Sequence, residues 1–83
     1  REELERFELD SLKMVGTLQN EKNNWGIVVD PSGVVHRVKT GNYVGLNVGK
    51  ITSIEEEQIE IREIVKDSSG RYEERMVMLP LIE

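Results

Sequence analysis

Apolar and polar residues alternate with period two through most of this chain, and polar, Gly- or Pro-containing stretches interrupt the alternation at short intervals. Successive side chains on a strand point to opposite faces, so each alternating run predicts a strand with one face in a core. In the first run Leu12, Met14, Gly16 and Leu18 fall on one face, and Lys13, Val15, Thr17 and Gln19 on the other. Asn20-Glu21-Lys22-Asn23 reads as a hairpin loop. In the second run Trp25, Ile27 and Val29 alternate with Gly26, Val28 and Asp30. Asp30-Pro31-Ser32-Gly33 then supplies Asp at the first turn position, Pro with its fixed φ at the second and Gly at the fourth. Val34 to Val38 form the return strand, so residues 24–39 are a predicted hairpin.

Gly41, Gly45 and Gly49 recur at every fourth position in the next stretch. Each would cost a helix about 1 kcal/mol relative to Ala, which argues against one here. The segment predicts a tight turn, a short irregular crossing and a second bend at Asn47–Gly49, carrying the chain around the corner of a sandwich or small barrel. Gly49 to Ile54 is a predicted strand, Glu55-Glu56-Glu57 a charged turn, and Gln58 to Arg62 alternates again. The alternation slips at Glu63-Ile64-Val65, which predicts a bulge or the end of that strand. Lys66 to Gly70 is a loop, Arg71 to Leu79 the last strand, and Pro80 its stop. Short strands joined by tight turns predict an all-β fold, a small β-sandwich of two antiparallel sheets with about six to seven strands. No internal repeat or low-complexity tract stands out. Residues 1–10 are expected to be the end of a flexible linker and residues 11–83 the folded domain, because Arg1 to Glu8 are mostly charged. Phe7 is expected to fold back onto the domain, and Asp10 and Ser11 to cap a short turn.

Composition narrows the function. At 83 residues the chain is one domain, able to bury about 60% of its unfolded surface. Only 37% of residues are hydrophobic and 33% are charged, so the core is compact and most charges face water. The net charge of −5 opposes binding to nucleic-acid backbone or an anionic membrane. Arg37, Lys39 and Lys50 are the only basic residues between Asn23 and Ile61. The absence of cysteine removes disulfides, thiolate metal sites and cysteine nucleophiles. No apolar run approaches the roughly 18 residues of a membrane span. The chain starts at Arg1 rather than Met and reads as an excised fragment, with any targeting signal or lipid anchor upstream.

No catalytic, cofactor-binding or metal site is predicted. His36 is the only histidine and sits mid-strand. No nucleophile–base pair or ligand spacing surrounds it. Glu55-Glu56-Glu57 lacks the spacing of a calcium loop. The glycines lack the strand–loop–helix setting of a phosphate-binding loop. Trp25, Tyr43 and Tyr72 are too few and too separated to form a stacking platform for bases. Trp25 is expected in the core, with a partly exposed binding anchor as the alternative. What remains is a sheet with edges, which can add a strand from a partner. The first strand, Met14, Val15, Gly16, Thr17 and Leu18, is the candidate partner-binding edge, with Val15 and Thr17 on its outer face.

Three stretches together resemble the PilP family of type IV pilus assembly lipoproteins: Phe7 to Leu18, Trp25 with Asp30 to Val38, and Gly41 to Ile51. The likeness runs from residue 7 to about residue 65 in order and spacing. It implies a fold similar to the homology region of type II secretion GspC proteins. It further implies a lipid-anchored protein on the periplasmic face of the inner membrane that docks on the N-terminal periplasmic domains of the outer-membrane secretin PilQ. A segment upstream of this domain would bind the PilN–PilO heterodimer. The implied domain is non-catalytic, monomeric in isolation, and free of cofactors and nucleic acid. The competing class is a cytosolic SH3-like or OB-like adaptor binding peptide or nucleic acid, which similar strand spacing supports and the acidic balance opposes.

Overall fold

The computed structural model describes all 83 residues, Arg1–Glu83. Two short 3-10 turns, Glu3–Arg6 and Leu9–Ser11, lead into seven strands. These are β1 (Lys13–Gln19), β2 (Asn24–Val29), β3 (Val35–Val38), β4 (Tyr43–Val44), β5 (Gly49–Ile54), β6 (Gln58–Lys66) and β7 (Tyr72–Pro80). They form a three-stranded sheet in the order β1-β2-β3 and a four-stranded sheet in the order β4-β5-β6-β7, with every pair antiparallel. The two sheets of the expected sandwich are therefore present, and the glycine-rich crossing supplies the two-residue β4 on the way from one to the other.

Eleven buried apolar residues form one cluster between the sheets. Met14, Val28 and Val38 come from the three-stranded sheet, and Val44, Ile51, Ile54, Ile59, Ile61 and Leu79 from the four-stranded one. The facing layers approach closely at Gly26, where a Cβ would lie 2.7 Å from Ile59 Cδ1. A second close approach is at Gly49, whose Cβ would meet the Val44 carbonyl oxygen at 2.5 Å. Here glycine is required by space rather than by backbone angle.

Four sequence expectations need correction. Within residues 1–10, the expected linker end, part of the chain packs on the domain: Leu4 is 4% exposed and belongs to the core, and its carbonyl accepts a hydrogen bond from Gly45 N at 3.0 Å. Its charged neighbours masked it. The first strand carries a bulge at Val15, between Met14 opposite Val28 and Gly16 opposite Ile27. The extra residue reverses the phase beyond it. Thr17 then pairs with Gly26 on the inner side, and Leu18 pairs with Trp25 on the outer side and is exposed. Trp25 is likewise not core. It shares the outer face with Ile27 and Val29, while Gly26 and Val28 take the inner positions. Finally, β6 neither bulges nor ends at Glu63. It pairs with β7 without a register shift from Gln58 to Lys66, and the apparent slip is a carboxylate in an inward position, in phase with Ile59 and Ile61.

That carboxylate is satisfied across the hairpin. Glu63 Oε1 accepts from Arg75 Nε at 3.0 Å and lies 2.9 Å from Arg75 Nη2. The pair is asymmetric, because the Glu63 side chain is 3% exposed and that of Arg75 is 56%. Removing Arg75 strands a buried charge, whereas removing Glu63 leaves a guanidinium that water can solvate. Arg75→Ala should therefore cost about 1–3 kcal/mol in urea unfolding, and Glu63→Leu, which continues the apolar inner face, should cost clearly less. Equal costs would remove this reading of the pair.

One turn device appears twice. In Asp30-Pro31-Ser32-Gly33 the Asp30 carboxylate accepts from Ser32 N at 2.8 Å and Val34 N at 3.1 Å. In Asp67-Ser68-Ser69-Gly70 the Asp67 carboxylate accepts from Ser69 N at 2.8 Å and Arg71 N at 2.9 Å. Each Asp N–H bonds the carbonyl four residues on, and each Gly N–H returns to the Asp carbonyl. His36 Nε2 completes the first site, 2.8 Å from Asp30 Oδ2, and the Ser69 hydroxyl completes the second at 2.7 Å. The His36 hydrogen bond, with those from Val34 and Ser32, holds the Asp30 carboxyl below its usual 3.8. The Ser69 hydroxyl and the Arg71 amide do the same for Asp67. A depressed folded-state value stabilises the fold above the unfolded value and loses that stabilisation as pH falls through the folded one. An Asp30→Asn/Asp67→Asn variant should melt below the wild-type protein near neutrality, and the two melting curves should converge as pH drops below 3.8. A gap that persists unchanged into acid would show that the carboxylate charge contributes nothing.

Candidate partner-binding surface

Strand β1 stands at one edge of the three-stranded sheet, with β2 on its only laddered flank. Its other flank is closed at one point, where Met14 forms a parallel bridge with Leu81 and its carbonyl accepts from Ile82 N at 2.9 Å. Beyond Met14 the strand runs from the Val15 bulge to Gln19 with no partner strand on that side. The candidate residues thus divide. Met14 is fully buried and belongs to the core, whereas Val15 and Leu18 are exposed, and Gly16 and Thr17 are half-buried between them. The bulge sits where a bulge commonly ends pairing and redirects a side chain at a sheet rim.

Two further exposed regions escaped the sequence reading. The first is the outer edge strand of the other sheet, β7, whose Met76, Met78 and Tyr72 are exposed. The second is the outer face of the three-stranded sheet, where Trp25 lies beside two cations. The Arg37 guanidinium is 5.1 Å and the Lys39 ammonium 5.5 Å from the indole centroid. The phase of the β2 alternation carried the signal for Trp25. Two alternating sets, one with Trp25 and one with Val28, compete for the core, and the Val28 set takes it, which leaves Trp25 as the partly exposed alternative.

His36 is engaged by Asp30 in the turn, and neither group faces a nucleophile. No group of His, Asp or Glu side chains converges in a metal-binding arrangement. The clefts are open and shallow. One, of about 320 Å³, lies where Leu9 and Leu12 face Val77 and Leu79 at the seam between the sheets. What this surface offers is an unpaired strand edge and an apolar sheet face.

Comparison with known proteins gives the family and the fold. The family model described as "Pilus assembly protein, PilP" matches residues 1–81. The chain is 42% identical over 80 residues to the type IV pilus inner membrane component PilP of Pseudomonas aeruginosa; the match covers 96% of this chain and 45% of that protein, so the chain spans less than half its length. Among solved structures, a domain of the Pseudomonas aeruginosa type IV pilus biogenesis lipoprotein PilP superposes with a TM-score of 0.87 at 41% identity, covering 98% of this chain and 92% of that one. A PilP domain from Neisseria meningitidis superposes with a TM-score of 0.77 at 36% identity, covering 98% of this chain and 71% of that one. The match to the family model includes the first ten residues, in keeping with the burial of Leu4. With a family model spanning nearly its whole length and relatives of the same sandwich, the chain belongs to the PilP family of pilus assembly proteins.

Proposed function

We propose that this domain is a non-catalytic docking module of the type IV pilus assembly machinery, joining the inner-membrane PilN–PilO complex to the outer-membrane secretin PilQ. Its place is the periplasmic face of the inner membrane, held there by a lipid anchor on the full-length protein. The domain engages the N-terminal periplasmic domains of the secretin, and a segment upstream of it engages PilN–PilO. Confinement by anchor and linker raises the effective concentration of the domain near its target, so a modest interface suffices. The isolated domain is monomeric.

The observation that best supports this reading is the unpaired flank of β1 from Val15 to Gln19, on a domain of a pilus assembly family. An exposed edge offers main-chain donors and acceptors to an incoming strand, and the flanking side chains set which strand fits. Val15 is exposed in the bulge, so a lysine there opposes strand addition without entering the core. In a titration of the isotopically labelled domain with the secretin's N-terminal domains, the amides of residues 15–19 should shift. Val15→Lys should weaken binding about tenfold, equivalent to about 1.4 kcal/mol. A natively folded Val15→Lys domain that binds as well as wild type would exclude the β1 edge, and a wild-type domain that no secretin fragment perturbs would exclude the secretin as its target.

A further inference from the structure

The outer face of the three-stranded sheet is an ordered grid. Lys13, Val29 and Val35 lie in one row across the strands, Gly16, Ile27 and Arg37 in the next, and Leu18 beside Trp25 in the third. Lys39, just past β3, reaches back over the Trp25 ring. Val35 is 61% and Leu18 49% exposed, so the face is an apolar strip open to solvent. It also inverts the charge of the molecule. The chain carries 16 acidic and 11 basic residues, yet the charged residues of the grid rows, Lys13 and Arg37, and Lys39 over the Trp25 ring are all cations.

These cations are available. All the arginine–carboxylate pairs lie elsewhere, at Arg1–Glu5, Arg6–Glu3, Arg62–Glu74 and Arg75–Glu63. Lys13, Arg37 and Lys39 have no carboxylate partner; Lys39 Nζ meets only the Asn23 side-chain oxygen, at 2.6 Å. Arg37 and Lys39 instead rest against Trp25, an arrangement that holds the indole beside them on the sheet and keeps their donors at its rim. Tryptophan and arginine side by side, with apolar neighbours, are the residue types that dominate binding energy at protein interfaces.

We infer that this face is a docking surface for an acidic segment of a partner polypeptide, one in which carboxylates alternate with apolar side chains, and that Trp25 is its anchor. The apolar side chains of the segment cover Leu18, Trp25 and Ile27, and its carboxylates pair with Arg37, Lys39 and Lys13. Charge complementarity selects the partner, because unpaired cations beside an apolar strip attract carboxylates and reject another basic surface. An anionic bilayer would also supply negative charge, but it would repel the rest of this acidic domain. The inference differs from secretin docking at the β1 edge in its charged contacts and anchor: Trp25 lies on β2, Arg37 on β3 and Lys39 just past it, and of residues 15–19 only Leu18 is shared.

Trp25 is the only tryptophan, so its fluorescence reports this face alone. The intact domain is titrated with a short synthetic peptide alternating glutamate and leucine, with its lysine–leucine counterpart, and with vesicles of phosphatidylethanolamine and phosphatidylglycerol. The acidic peptide should give a saturable blue shift, weakened at least tenfold near about 0.5 M salt, where the screening length is only a few ångströms. Arg37→Glu/Lys39→Glu should weaken it at least tenfold, and Arg37→Gln/Lys39→Gln should do so in part with a milder change of surface. Val15→Lys should leave the response in place, which separates docking on the face from strand addition at the edge. No saturable response, an equal response to the lysine–leucine peptide, undiminished binding in both paired variants, or a response to vesicles without one to the acidic peptide would each overturn the inference.

Discussion

Few main-chain hydrogen bonds pass between the two sheets, so the fold depends on apolar contact across their inner faces. Met14 and Val28 on one side and Ile51, Ile59 and Ile61 on the other are almost completely removed from water. Burial of each such side chain stabilises by about 1.5–3 kcal/mol relative to leaving it exposed, which for a domain this small is a large share of the net stability. The rest of the architecture serves that contact. Gly26 lets Ile59 approach, Gly49 lets the crossing close over Ile61, and Leu4 seals the end near Val44. With one thin core fully committed to holding the sheets together, little is left for an enclosed ligand site, and the exposed apolar groups lie on edges and outer faces.

Polar groups that do enter the interior come with their partners. Glu63 meets Arg75 across the hairpin, and Asp30 accepts from two backbone amides and His36. A buried carboxylate is tolerable only when such donors replace water. The Asp30 and Asp67 turns achieve this with the same local geometry at the tips of two different hairpins, so each hairpin end is set by its own few residues as well as by the core. The outer face of the three-stranded sheet follows the opposite logic, with cations left unpaired beside exposed apolar groups.

Much of this was legible in the alternation. The positions of β2, β3, β5 and β7, the Asp30–Gly33 turn and the bend just before Gly49 follow from side-chain parity and turn chemistry. The misreadings share a cause, namely that parity states which residues are together but not which set faces in. Gly16 has no side chain to reveal that the phase changes at Val15, so parity alone sets Leu18 with Met14. Parity alone does not choose between Trp25 and Gly26, and it is Gly26 that occupies the inner position, where a Cβ would crowd Ile59 Cδ1. Glu63 looked like a break because its partner Arg75 lies twelve residues away, on the facing strand. Leu4 was hidden among charges because its contacts are with β4, some forty positions later. The candidate edge at Met14–Leu18 was readable from its place at the start of the sheet, whereas the cationic outer face required the true phase of β2.

The seam between Met14 and Leu81 has a mechanical consequence. The two segments run parallel there, and one lies near the start of the fold and the other near its finish. Tension drawn between the two termini pulls β1 backward and the last residues forward, so the segments slide along one another instead of peeling apart. The Met14–Ile82 hydrogen bond and the side chains packed around it are then loaded together, in shear.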